Sequence, residues 1–283
     1  MNTHLTLSPA AARFFPDTLV LPSMPEVATK LMHSFGDDNV NLDTLASLIG
    51  KDASLSAKVL RLANSARYSA AHTIDNLRDA AAALGVTTLR NLVMAACMAS
   101  AFPTVVGMDR KKFWRHSLST AAFATLLART KQLDPEVAYL AGLMLRSGQL
   151  LMLQVEPGVV SEAESHVDEP GVRFDWEVAR FGVSHNEVTA ELARRWHFPD
   201  QLIVGFHWAA DPLAAKPFSL LGAVLHMAQL LADAMEMGIA PFKALEKVEK
   251  DLVEHEHLDL DWLEGHLFTQ ADLANEVELL LAG

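Results

Sequence analysis

Helix-start signals follow one another along this chain, and no other local pattern competes with them. Ser8-Pro9 sets a capping hydroxyl before a proline at the first helical position, and Asp134-Pro135-Glu136 repeats the device. Ser184-His185-Asn186-Glu187 carries Ser and Glu at the spacing of a capping box, opening a helix to Trp196. Leu21-Pro22-Ser23-Met24-Pro25 forces an extended entry to a helix over 26–35 that Gly36 closes. Asn41 caps 42–49, Asp52 or Ser54 starts a helix to about residue 63, and Asp75 caps one ending at Leu84-Gly85. Thr87 or Thr88 begins an apolar helix to 102, and Asp109 starts one to about 131. The Asp134 start leads into the helix carrying Leu145-Arg146, and further helices fall at 201–208, 218–237, 241–253 and 259–280. Residues 159–176 are the least assignable. With no β-branched alternation and no fixed-period repeat, the chain reads as all-α.

A chain of 283 residues, 51% hydrophobic and 20% charged, is long enough for one large or two modest cores and far from disordered composition. The lone Cys97 rules out an internal disulfide or a cysteine-based zinc site, and its apolar surroundings make it a core filler. Met1-Asn2-Thr3-His4-Leu5 has no basic region followed by an apolar stretch, so no signal peptide is read there. The longest uncharged run, 91–108, contains Asn91, Ser100, Pro103, Thr104 and Gly107 and reads as a buried helix, not a membrane span. A cytoplasmic location is expected.

A net charge of −12 disfavours general nucleic-acid binding, because phosphate backbones are repelled. The charge is uneven. Residues 51–115 carry ten Lys/Arg against four Asp/Glu, a balance of +6, and residues 246–283 carry two against eleven, a balance of −9. Two solvated faces account for this, as does a basic docking surface that meets the acidic tail or an anionic partner.

Motifs in order along the chain carry a resemblance. Leu21-Pro22-Ser23-Met24-Pro25 is followed by Asp52-Ala53-Ser54-Leu55, Leu60 and Asn64-Ser65-Ala66, then by Ala80-Ala81-Ala82-Ala83-Leu84-Gly85. Trp114-Arg115-His116-Ser117 comes next, then Glu177 through Gly182, His185, Leu192-Ala193, Trp196 and Pro199. Together, over about residues 21–235, they resemble the HDOD domain family, with Ala53 where the family has proline. The resemblance implies an N-terminal helical bundle followed by a half similar to HD phosphohydrolases. It also implies a non-catalytic bacterial signalling or scaffolding module, tied to cyclic-di-nucleotide signalling, chemotaxis or motility.

In HD hydrolases the segment Gly142-Leu143-Met144-Leu145-Arg146-Ser147-Gly148-Gln149-Leu150 would read G-L-L-H-D-I-G-K-L. Leu145 and Arg146 stand where the metal-binding His-Asp pair would be, and neither can coordinate a cation. On the same alignment His116 takes the first ligand position, His185 and His207 later ones, and Gln229 the place of the final Asp. At about 4 Å and an effective dielectric of about 20, a pair of unit charges is worth roughly 4 kcal/mol, so Arg146 opposes a divalent ion. No catalytic residue, metal or cofactor is therefore expected.

The histidines also read as packed core or cleft residues, with a three-imidazole zinc site as the sharper alternative. Arg110, Lys111, Lys112 and Arg115 form a basic cluster that reads as solvated surface or, with Arg146, as an anion or partner contact. The expected organisation is a helical extension over 1–20, an HDOD domain over 21–235 divided at 105/106, and an acidic helical appendage over 236–283. The leading expectation is a catalytically inactive signalling module that acts on other proteins. The rivals are a metal-dependent phosphohydrolase with a His-only site, and a sensor for a nucleotide or other anion.

Overall fold

The cap signals act largely where they stand in the chain. The computed structural model describes residues 8–17, 19, 21–24, 26–33, 42–64, 73–102, 104–159, 162, 166–245, 252, 262, 265–267, 278, 280 and 281. Among these residues the regular structure is helical, with no strand. The expected caps and stops at Pro25, Gly36, Asn41, Ser65-Ala66 and Pro103 lie outside the described residues. The expected helix over 259–280 and most of 246–258 do too. Helix α1 (Pro9–Ala12) starts where the Ser8 hydroxyl accepts the Ala11 N–H at 3.1 Å.

The chain divides into two compact units: Pro22–Pro103 with Ala271–Gly283, and Met1–Leu21 with Thr104–Gln270. In the first, α2 (Glu26–His33), α3 (Leu42–Ile49) and α4 (Ala53–Ala63) accompany the long α5 (Leu77–Ala101), with α3 and α4 packed along it. Asp52 caps α4, its carboxylate accepting the Leu55 N–H at 3.0 Å. The cap of α5 is Asn76, one residue beyond the expected Asp75, because its amide oxygen accepts the Asp79 N–H at 2.9 Å. Asn64 bridges outward: its side chain donates to the Leu60 and Ile74 carbonyls and accepts the Ile74 N–H. That makes Asn64 a clamp between the end of α4 and Ile74.

Helix α5 is long and apolar enough to cross a membrane by length and composition alone. At Gly85, however, φ is +78° and ψ is 166°, so the helix is broken where the sequence separates two helices. Residues 86–101 then rise only about 24 Å, short of the roughly 30 Å hydrocarbon core. Met94, Ala95, Ala96, Cys97 and Met98 on this stretch are all buried. Burial, with Asp52 adding to it, pushes the Cys97 thiol up to about 12, so it packs as an inert apolar group.

In the second unit α6 (Arg110–Arg129) opens on Asp109, whose carboxylate accepts the Lys112 N–H at 3.0 Å. Helix α7 (Pro135–Met144) opens on Asp134, and α8 (Ser147–Val155) follows almost without a break. Leu145 caps the end of α7 and Arg146 the start of α8, so the pair sits at a junction between helices and not inside one. Helix α9 (Val172–Phe181) has no capping side chain. It is entered through Gly171 at φ +85°, so the sequence offers no helix start there.

The Ser184–Glu187 pairing heads α10 (His185–Arg195), followed by α11 (Asp200–Trp208), α12 (Leu220–Glu236) and α13 (Pro241–Leu245). Helix α12 is the core of this unit, packing against α6, α7, α11 and α13. It is buried from Leu221 to Met235 apart from His226, the pattern of a helix enclosed on all sides. Within that apolar stretch Gln229 and Asp233 lie four residues apart, on one face.

Candidate functional site

His116 is brought to the centre of the second unit by α6, whose inward face from Phe113 to Leu127 is otherwise apolar or small. Its Nε2 donates to Asp233 Oδ1 at 2.7 Å, both side chains being buried. The other Asp233 oxygen accepts the Gly171 N–H at 3.1 Å. On the far side of the ring, Thr120 Oγ1 lies 3.3 Å from His116 Nδ1 and donates to the His116 carbonyl at 2.9 Å.

Burial and then the Arg146 charge push His116 down to about 4, against the opposing pull of Asp233. Burial alone would raise Asp233, but its bond to His116, the Arg146 charge and the Gly171 N–H outweigh that and hold it below the usual range. At neutral pH the pair is thus a neutral imidazole donating to an ionised carboxylate.

The residue facing His116 is therefore Asp233, whereas the alignment puts Gln229 at the last carboxylate position. One helical turn separates them. Gln229 faces another ring, with its Oε1 3.3 Å from His185 Nε2. A carboxylate set in the apolar run Leu230-Leu231-Ala232-Asp233-Ala234 is the sequence signal that marks the position.

His185, fully buried, forms the second pair. A single Glu177 oxygen accepts both its backbone N–H at 2.7 Å and its Nδ1 at 2.6 Å. Burial would raise Glu177, but the His185 ring and the Arg173 charge hold it below the usual range. Glu177 and Arg173 come from α9, the helix the sequence leaves unassigned. Phe174, between them, stacks on His185 with ring centroids 5.4 Å apart.

Arg146 stays inside, its residue only 8% exposed. Its Nε donates to Gln149 Oε1 at 2.8 Å and its guanidinium lies 5.7 Å from the Phe113 ring centre. Two buried guanidiniums, Arg146 and Arg173, thus bear on a neutral His116 paired with ionised Asp233, while ionised Glu177 stands with His185 and Arg173. Leu145 contributes only a fully buried side chain.

The remaining expected residues separate from this cluster. His207 is half-buried with its ring edge-on to Trp208 at 4.8 Å, and burial lowers its pKa. Arg115 is taken by Glu236 through both ends of its guanidinium, with Nε donating at 2.9 Å. Lys111 is exposed and Arg110 half-exposed on the first turn of α6. Lys112 and Arg146 line one cavity of about 200 Å³.

A divalent ion of the hydrolase type needs several imidazole and carboxylate donors converging on one point. Among the described residues no three His, Cys, Asp or Glu side chains form such a group. The two histidines have separate carboxylate partners, and Arg146 sets a positive charge beside the nearer pair. These residues do not fit a catalytic metal centre.

The comparisons with known proteins agree with this architecture. An HDOD domain protein with unknown function from Geobacter sulfurreducens has a solved structure similar to this one, with a TM-score of 0.70 and 27% identity over 96% of this chain and 95% of that one. A "Putative phosphohydrolase" from Shewanella amazonensis SB2B is similar at TM-score 0.67 and 27% identity, over 97% of this chain and 95% of that one. A "Putative signal transduction protein" from Marinobacter aquaeolei VT8 shares the fold at TM-score 0.75 and 24% identity, over 96% of this chain and 63% of that one. An "Uncharacterized protein" of Treponema pallidum (strain Nichols) is 25% identical over 194 residues, 66% of this chain but only 37% of the relative. The HDOD domain model matches residues 21–212, more than half of the 283-residue chain, and the chain belongs to the HDOD family.

Proposed function

We propose that this chain is a cytoplasmic, non-catalytic HDOD signalling module that acts through contact with other proteins. The observation that carries the reading is the buried Arg146, whose charge bears on His116 and Asp233; the motif resemblance aligns it with the metal-binding aspartate of HD hydrolases. A guanidinium is charged at any physiological pH and offers no lone pair to a metal. With Leu145 beside it, the junction between α7 and α8 supplies neither ligand nor base for activating water. His116 and His185 hold their carboxylates by short hydrogen bonds, as structural pairs do.

The test is metal content and turnover of the full chain purified without chelator. Aryl phosphodiesters and cyclic dinucleotides are the substrates. The expected result is no stoichiometric tightly bound metal and no hydrolysis above background. Stoichiometric metal, with hydrolysis that His116→Ala abolishes, would establish the rival reading of a metal-dependent phosphohydrolase with an unusual ligand set. Affinity capture from the native host with mass spectrometry then addresses the partner proteins.

A further inference from the structure

We infer that the cavity at the first turn of α9 is a binding site for a small organic cation, an ammonium head carried on an apolar body. The cavity measures about 390 Å³ and lies within the second unit. That volume falls in the range of about 300–1,000 Å³ that small-molecule sites occupy. Phe174, Asp175, Asp211, Leu213, His226 and Leu230 are among the residues that line it.

The charge of the lining is one-sided. It holds two carboxylates, Asp175 and Asp211, and no Lys or Arg among the described residues, a formal balance of −2 with histidine counted as neutral. Asp175 is exposed and makes no hydrogen bond or ion pair among the described residues. Asp211, also exposed, accepts the Ala214 N–H through Oδ1 at 3.2 Å, capping a short 3₁₀ turn over Pro212–Ala214. A carboxylate has about four lone-pair sites on its two oxygens, so this cap leaves Asp211 able to accept further hydrogen bonds. The N-terminus of α9, which no side chain caps, sets roughly half a unit of positive charge against the pair. Buried Arg173, on the same helix, is offset by buried Glu177 one turn further on. A negative surplus therefore remains at the cavity, and it draws in cations.

The apolar part of the wall is fixed from behind. Phe174 stacks on His185 and on His226, with ring centroids 5.4 Å and 5.8 Å apart. His226 Nδ1 donates to the Ala209 carbonyl at 2.8 Å, and the Gly171 N–H, on the same wall, donates to Asp233. A wall held in this way spares a ligand the cost of ordering its own site. It also selects an organic cation over a metal ion. Calcium takes about six to eight oxygen ligands, whereas two carboxylates here share the lining with Phe174, Leu213 and Leu230. No three His, Cys, Asp or Glu side chains among the described residues group as metal ligands.

The full chain is titrated by calorimetry with benzylamine and, separately, with benzyl alcohol, its neutral counterpart. Benzylamine is expected to bind saturably and about tenfold or more tightly than the alcohol, the advantage of one charge-assisted hydrogen bond. Asp175→Asn and Asp211→Asn both lie at exposed positions, and Asn caps a turn as Asp does, so both variants keep the fold. Each is expected to weaken benzylamine by about threefold or more, and the double variant to bind amine and alcohol equally. In the wild-type chain the Gly171 and Ala214 amide resonances are expected to shift together as benzylamine is added. Absence of saturable binding, equal wild-type affinity for amine and alcohol, or benzylamine affinity unchanged in the double variant overturns the inference. Amide shifts confined to residues away from the cavity overturn it too. None of these outcomes touches metal content or hydrolysis, so this inference and the non-catalytic reading fail separately.

Discussion

His116 and Asp233 show how burial chooses ionisation states. The folded His116 value of about 4 lies below its ordinary 6.5, so between those values the unfolded chain takes up a proton that the folded chain refuses. Stability therefore falls as pH drops through that window, by roughly 3 kcal/mol from this group. Asp233 and Glu177, both held low, contribute stability that is present above their ordinary values of 3.8 and 4.5 and is lost as pH falls through their folded values. All three act in the same direction. The urea midpoint is expected to fall steadily from about pH 7 to about pH 4, and His116→Gln should flatten its upper part. A wild-type midpoint that stays constant over that range would contradict a neutral buried His116. Charge balance gives a second prediction. Asp233→Asn takes away His116's carboxylate partner and the negative charge that offsets nearby Arg146, and should cost about 3–5 kcal/mol, whereas Arg146→Met with Asp233→Leu removes both charges and should cost less. Urea unfolding of the two variants checks this, and a double variant no more stable than Asp233→Asn would refute the pairing.

Between elements, the glycines of the α7–α8 segment are dictated by how closely its neighbours approach. A Cβ on Gly148 would lie 2.2 Å from the His185 carbonyl oxygen and 2.6 Å from the Thr189 amide nitrogen, both backbone atoms. On Gly142 it would lie 2.7 Å from the Ala121 Cα. Thr189 completes the contact: its hydroxyl accepts the Gly148 N–H at 2.8 Å and lies 2.8 Å from the Leu145 carbonyl. The two glycines serve helix packing, whatever side chains stand at Leu145 and Arg146 between them. Gly148→Ala must push α8 off α10 and is expected to cost about 3 kcal/mol or more, while Gly158→Ala, with open space around it, should stay within about 0.5 kcal/mol. Equal thermal stability of the two variants would defeat the argument. The same contrast explains what could be read from the sequence. Caps such as Asp52 and Asp109 were legible because side chain and amide lie three residues apart. The contacts of Glu177 with His185 and of Asp233 with His116 were not, because α9 lacks a start signal and the second pairing spans 117 residues.

For the molecule as a whole, the family pattern and the folding unit have different boundaries. The HDOD match runs from 21 to 212, yet α12, which supplies Gln229 and Asp233, lies beyond its end. Helix α1 lies before its beginning and belongs to the same unit as the His116 cluster. Its attachment is specific: Phe14 meets Phe181 edge-on with ring centroids 5.6 Å apart, Arg13 pairs with Glu156, and Arg195 lies over Phe15 at 4.5 Å. Residues 8–15 are therefore part of the core that holds α9 and α10 in place, although about eighty residues of a different unit intervene before α6 begins. Phe14 is 0% exposed, and Phe14→Ala is expected to cost about 3–5 kcal/mol. Because the loss falls on one unit, amide exchange should speed up first in α9 and α10 and only later in α3 to α5. A cost below about 1 kcal/mol, or faster exchange appearing first in α3 to α5, would show that α1 is an appendage after all. The expected result would mean that the phosphohydrolase-like half is assembled from both sides of the bundle in sequence, and that a fragment cut at the family boundaries would lack both α1 and the helix bearing Asp233.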